Sequence, residues 1–171
     1  LAVLAGVTLG HPVWAAAQYG VAIFLWPIAL VLVLARIGMV GLWPQRMLPT
    51  TFITMAPPSV LALSGHQLGA PDTLVHMLWG VSVFFTLVSL TVLKRCLQQP
   101  FGMPFWGMSF PLAASAALSL HLAPTQGWVH VLAMAWLVVA SGVIGALLLA
   151  TVHGLWRGRL LVAETPAPAQ A

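Results

Sequence analysis

Charge is scarce in this sequence: six Lys and Arg and two Asp and Glu stand among 171 residues, 5% in all, against the roughly 25% of an ordinary soluble domain. A chain so poor in charge has too little polar surface to face water all round. Cysteine is almost absent too. Cys96 alone excludes an internal disulfide framework and a cysteine-rich metal site; next to Lys94 and Arg95, it is expected to face a reducing cytoplasm. Carboxylates are missing from every apolar stretch, and neither an HExxH motif nor a Ser or Cys with a nearby base occurs, so acid–base catalysis lacks its parts. No charge of either sign lies inside those stretches, which weighs against an ion-coupled pump or a voltage sensor and favours passive conduction. The six basic residues are scattered rather than gathered in a stripe, so no nucleic-acid partner is expected.

What is present is apolar side chain, 61% of the residues. It is arranged in long uncharged runs, Val13 to Ala35, Thr50 to His66, Thr73 to Leu93, Phe101 to Leu120 and Gly127 to Trp156. Each approaches or exceeds the roughly 17–25 residues of a membrane-crossing helix. They are apolar all round, whereas the helices of a soluble bundle keep a polar stripe for water. The sequence therefore predicts an all-α integral membrane protein with helices over about 1–10 (a stub), 13–37, 50–66, 73–95, 103–121 and 126–157. A cleaved leader is not expected, because Leu1 to Gly10 has no basic start. The tail from Ala163 to Ala171, rich in Pro and Ala, is expected to be disordered.

The few charges are sorted. Arg36, Arg46, Lys94, Arg95, Arg157 and Arg159 all fall at one set of helix ends, while the opposite turns, Gly10 to Pro12, Gln67 to Asp72 and His121 to Gln126, carry no Lys or Arg. By the positive-inside rule the basic end is cytoplasmic, and with it the C-terminus. Trp14, Trp43, Trp128 and Trp156 lie at segment ends, where indoles sit at the headgroups, while Trp26, Trp79, Trp106 and Trp136 lie deeper and are expected to pack between helices.

A weak internal repeat runs through the chain. Phe52, Met55 and Pro58 recur 53 residues later as Phe105, Met108 and Pro111, and Trp26 recurs as Trp79. That period is one helical hairpin, which predicts stacked hairpins over Leu1–Ile37, Thr50–Arg95 and Met103–Arg157. Pro57, Pro58 and Pro111 then predict two similarly bent helices, since a membrane helix keeps an interior proline where neighbours satisfy the freed carbonyls.

Two stretches carry a resemblance. Thr51-Phe-Ile-Thr-Met-Ala-Pro-Pro-Ser-Val60 and Phe101-Gly-Met-Pro-Phe-Trp-Gly-Met-Ser-Phe-Pro-Leu-Ala-Ala-Ser-Ala116 resemble signature helices of the tellurite-resistance/C4-dicarboxylate transporter family, in the superfamily of the plant slow-type anion channels. The similarity runs from His11-Pro12 to Arg157. It implies a ten-helix, five-hairpin fold whose first hairpin helices line a central pore, of which this chain supplies a stub and five full helices from the C-terminal portion. It also implies small inorganic or dicarboxylate anions as substrates, a homotrimer, a plasma membrane (a bacterial inner membrane), and a phenylalanine that plugs the pore. The Ser-Phe-Pro pattern carries that gate to Phe110, with Phe105 as the alternative in a shifted register.

A phenyl ring closes a water path by filling it and offering an ion no hydrogen bond. Helical spacing from Phe110 puts Met103, Gly107, Ala113, Ala114 and Ala117 on or beside its face, with Pro111 adjoining. Pro57, its repeat equivalent, brings Thr54, Val60, Leu61 and Ser64 in the same way. Hydroxyls can donate to a passing anion, although small residues in membrane helices also serve close packing.

Six histidines raise a metal or haem alternative. His11, His66, His76, His121 and His130 fall near the ends away from the Lys and Arg, and His153 near the other, a placement that argues against a cytochrome, so no cofactor is expected. They remain either interfacial hydrogen-bonding groups or a cluster that turns positive in mild acid and attracts anions. A structural membrane subunit without transport is the other reading.

Overall fold

The computed structural model describes residues 2–158, and among these there are helices and turns and no strand. Six α-helices follow in order: α1 (Ala2–Thr8), α2 (Pro12–Val40), α3 (Ala56–Gln67), α4 (Asp72–Leu97), α5 (Ser109–Leu122) and α6 (Trp128–Trp156). Two of them continue 3-10 segments, Gln45–Met55 leading into α3 and Met103–Met108 leading into α5. Four helical runs are long and apolar enough to cross a membrane: Pro12–Val40, Gln45–Gln67, Asp72–Leu97 and Trp128–Trp156. The disordered tail expected from Ala163 to Ala171 lies outside the described residues, as does Arg159.

The helices pair as three hairpins, α1 with α2, the first 3-10 segment and α3 with α4, and the second with α5 and α6. Leading helices pack on one another, α1 on α3 and α3 on α5, and the two 3-10 segments also meet. The trailing helices α2, α4 and α6 lie outside them. Burial follows this division. Seven of the 12 residues of α3 and six of the 14 of α5 are buried, whereas α2 buries only Ala15 and α6 only Ala133, Ala140 and Leu147. The outer helices thus present Val21, Phe24, Leu32, Val138 and Leu149 outward, a surface with no polar stripe, suited to lipid.

Glycines and hydroxyls set how closely the hairpins approach. In the first hairpin Gly6 lets the Trp14 ring and Ala15 rest against α1; a methyl group there would sit 3.0 Å from Trp14 Cε3. The second ends α3 with a Schellman turn: Gly69 takes φ +84°, its N–H bonds the His66 carbonyl, and the Ala70 N–H bonds the Gly65 carbonyl. In the third, the deep indoles do bridge helices: Trp106 Nε1 donates to Thr151 Oγ1 at 3.0 Å, and Trp136 Nε1 to Ser115 Oγ at 3.0 Å. Trp79 Nε1 likewise donates to Ser119 Oγ at 3.2 Å, tying α4 to α5. Trp14, Trp128 and Trp156, at the ends, are exposed, and Arg36 stacks on Trp43 with its guanidinium carbon 3.8 Å from the ring centre.

Hairpin one is joined to hairpin two through Tyr19, whose hydroxyl donates to the Leu61 carbonyl at 3.1 Å. A Cβ on Gly65 would lie 2.5 Å from that hydroxyl oxygen. Gly65→Ala is therefore expected to expel the phenol and loosen α2 from α3, at a cost of about 1–3 kcal/mol for overpacking. Adding Tyr19→Phe removes the nearest atom, so thermal unfolding of the double variant in detergent is expected to recover part of the loss. A double variant less stable than Gly65→Ala would count against this contact.

Candidate functional site

The repeat read in the sequence has a structural counterpart. Conversion from 3-10 to α geometry falls between Met55 and Ala56 in one leading helix and between Met108 and Ser109 in the other, 53 positions apart, the offset of the repeat. The matched residues are matched in burial: Phe52, Met55, Phe105 and Met108 form one core cluster, and Pro58 and Pro111 are fully buried in the first turn of their α-helices. The expectation of bent helices needs correcting here, because the prolines mark a change of helix type rather than a kink within one α-helix. The first turn of an α-helix is where proline's missing N–H costs least.

A 3-10 run of 11 residues is long for that geometry, which has poorer hydrogen bonds than the α-helix. Hydroxyls from α4 support it. Ser82, Thr86 and Ser89 lie on one face of α4; Ser82 Oγ reaches the Met55 carbonyl at 3.4 Å and Ser59 Oγ at 2.7 Å, and Ser89 Oγ reaches the Thr51 carbonyl at 3.4 Å. Ser59 Oγ donates to the same Met55 carbonyl at 2.9 Å, and Thr86 Oγ1 points to Met55 Sδ at 3.6 Å. The backbone at the junction is thus served by a neighbouring helix, as irregular backbone at membrane depth requires. The sequence reading missed this ladder, although the spacing of Ser82, Thr86 and Ser89 by four and three residues was there to be seen. Ser82→Ala is expected to lower stability by about 1 kcal/mol, the scale of a hydroxyl bond between membrane helices; unfolding in detergent unchanged by the substitution would refute a supporting role.

The candidate residues divide by burial. Phe110 is 45% exposed and stands outside every core cluster. Met103, Ala113 and Ala117 are exposed on the same helix, and Gly107, Thr54, Pro57 and Val60 are half-buried. Gly107 lies where the two leading helices touch: a Cβ on it would meet the Thr50 Cα at 3.5 Å and Ile53 Cδ1 at 3.7 Å. Leu61, Ser64, Pro111 and Ala114 are buried among their neighbours instead of sharing the open face. Ala114 lies on the other side of Phe110 from Ala113 and Ala117 at about 3.6 residues per turn, and that side of α5 is packed. Leu61 and Ser64 lie on the stretch of α3 against which Tyr19 of α2 packs. Thr54 Oγ1 is bonded to the Thr51 carbonyl at 2.8 Å, so its proton is engaged within the helix. Phe105, the alternative gate, is 8% exposed and packs in the core with Phe52 and Met108.

Along the open face no charged side chain appears among the described residues. The basic groups Arg36, Arg46, Lys94, Arg95 and Arg157 gather at one end of the bundle, where Gln99 also bonds Gln45 at 3.1 Å. At the other end His66 and His121 meet, their ring centres 4.4 Å apart, and His66 Nδ1 lies 3.8 Å from Asp72 Oδ1. Among the described residues no group of three or more His, Cys, Asp or Glu is placed to hold a metal ion.

Comparison with known proteins adds a family. Residues 1–152 match the sequence model of a family described as voltage-dependent anion channel. No curated protein matches the chain.

Proposed function

The chain belongs to the voltage-dependent anion channel family, and from that premise we propose that its two central helices form part of an anion pathway closed by the ring of Phe110. The observation that carries this reading is that Phe110, Ala113 and Ala117 are exposed and uncharged on one leading helix, which meets the next leading helix at Gly107, beside half-buried Thr54 and Pro57. Buried phenylalanines in this chain pack into the core, as Phe52, Phe85 and Phe105 do. Phe110 stands apart from them, one residue before the proline that the repeat places at the start of each α-helix.

Three hairpins supply three leading helices of the five that the resemblance implies. The run Met103–Leu122 serves as a fifth crossing: its 3-10 and α portions together reach about 33 Å at ~2.0 and ~1.5 Å per residue, enough for a hydrocarbon core of roughly 30 Å. The basic end lies on the cytoplasmic side and the protein sits in a plasma membrane, a bacterial inner membrane, as a homotrimer. A neutral face lets an anion pass without a tight site, which fits small inorganic anions and dicarboxylates alike.

The test is flux through the full-length protein in liposomes, under gradients of nitrate, chloride and malate with a potassium control. Anion flux above that of empty liposomes, with no matching cation flux, is expected. If all these gradients persist in the presence of correctly inserted protein, the chain is a structural membrane subunit and the pathway does not exist.

A further inference from the structure

We infer that the paired imidazoles of His66 and His121 form an anion-entry site, switched on by protonation, at the Lys- and Arg-free end of the two central helices. The inference rests on the pathway proposed above and gives it a mouth. His66 lies in the last turn of α3 and His121 in the last turn of α5, so the two helices that carry the open face each end in one of the two rings. Neither ring is buried; His66 is 41% exposed. Of the five histidines expected near this end, these are the two whose rings meet.

Electrostatics give the pair its function. Two α-helix C-termini converge here, each equivalent to about half a negative charge, and the N-termini of α2, α4 and α6 bring the opposite sign to the same end. Asp72 adds a carboxylate 3.8 Å from His66. With both imidazoles neutral the mouth offers an anion no cationic side chain. Two imidazolium rings would make the mouth cationic. A neutral imidazole offers one N–H and one lone pair, whereas the protonated ring offers two donors and no acceptor, the chemistry that binds a halide, nitrate or carboxylate. Histidine is also the side chain whose charge changes between pH 5 and 8.

Other titratable groups at this end belong to the same balance. From α4 come Asp72 and His76, whose Nδ1–H donates to the Asp72 carbonyl at 2.8 Å, leaving its outer nitrogen free. From α6 comes His130 in the first turn, and from α2 come Tyr19, bonded to the Leu61 carbonyl, and His11 at its start. Among the described residues no Lys or Arg lies at this end, so protonated histidines are its cationic side chains.

The experiment uses full-length protein in liposomes at symmetrical pH 8, 6.5 and 5, reading nitrate and chloride efflux, with chlorine-35 NMR line broadening on the solubilised protein as a binding readout. Efflux and broadening are expected to rise on acidification, by about tenfold, the lower range for electrostatic focusing of an ion. The His66→Gln/His121→Gln variant is expected to stay low at every pH, and His121→Arg to stay high at every pH. A rise with acid that survives the double glutamine substitution overturns the site, as does wild-type efflux and broadening that ignore pH. Acid-dependent broadening lost in the double variant, without efflux from any form, supports the site and overturns the pathway.

Discussion

Replacing Phe110 with alanine in the full-length protein is expected to raise anion flux by about tenfold or more, the factor that 1.4 kcal/mol off a barrier produces. On the proposed pathway the ring gives an ion nothing to exchange for its water, so its volume would be the barrier, and alanine would leave the volume open. The fold is expected to tolerate the change. Phe110 is 45% exposed and belongs to no core cluster, so its loss falls among substitutions that cost within about 0.5 kcal/mol. Flux through liposomes, measured beside thermal unfolding in detergent, separates the two effects. Equal flux from wild type and variant at equal insertion would return Phe110 to an ordinary surface role.

The opposite result is expected five residues earlier. Phe105 is 8% exposed and packs with Phe52, Met55 and Met108 where the two 3-10 segments meet, with Phe101 beside it at a ring separation of 5.7 Å. Phe105→Ala opens a cavity at the centre of the bundle and is expected to cost about 3 kcal/mol, the low end for a buried aromatic. The low end applies because lipid, unlike water, does not drive apolar groups together, and the loss is mainly of packing contacts. Expression and detergent unfolding are expected to fall sharply for Phe105→Ala and to hold for Phe110→Ala. A stable Phe105→Ala protein with raised flux would reverse the two assignments and move the gate one helical register earlier.

The contrast between these phenylalanines shows how far the sequence reaches. Both lie in an apolar stretch, five residues apart, and composition treats them alike. The family resemblance singled out Phe110 through its neighbours Ser109 and Pro111, and the repeat paired Phe105 with Phe52. Burial then agrees with the pairing: both repeat partners are in the core. The proline signal was read less well. Pro27 also lies inside a helix, yet α2 runs unbroken from Pro12 to Val40, so proline alone does not convert a helix. At Met55 the change coincides with hydroxyls of α4 that reach the junction's backbone, and α2 shows no such partner among the described residues.

Histidines illustrate the same limit. Sequence placed five of them near one end of the bundle, because the helices alternate in direction and their ends can be counted. Which of them touch depends on which helices are neighbours across the bundle. His66 and His121 are 55 positions apart and meet because α3 and α5 pack together.

By itself the sequence determined the all-helical, apolar character of the chain, the sorting of charge to one end and the 53-residue period. These follow from composition and order along the chain, since lipid excludes charge and sets the length of a crossing whatever the helices do next. The tertiary structure decided which helices are central, where 3-10 geometry gives way to α, which small residues face inward and which of Phe105 and Phe110 is buried. Those depend on contacts between segments far apart in the chain, where a carbonyl freed on one helix is met by a hydroxyl on another.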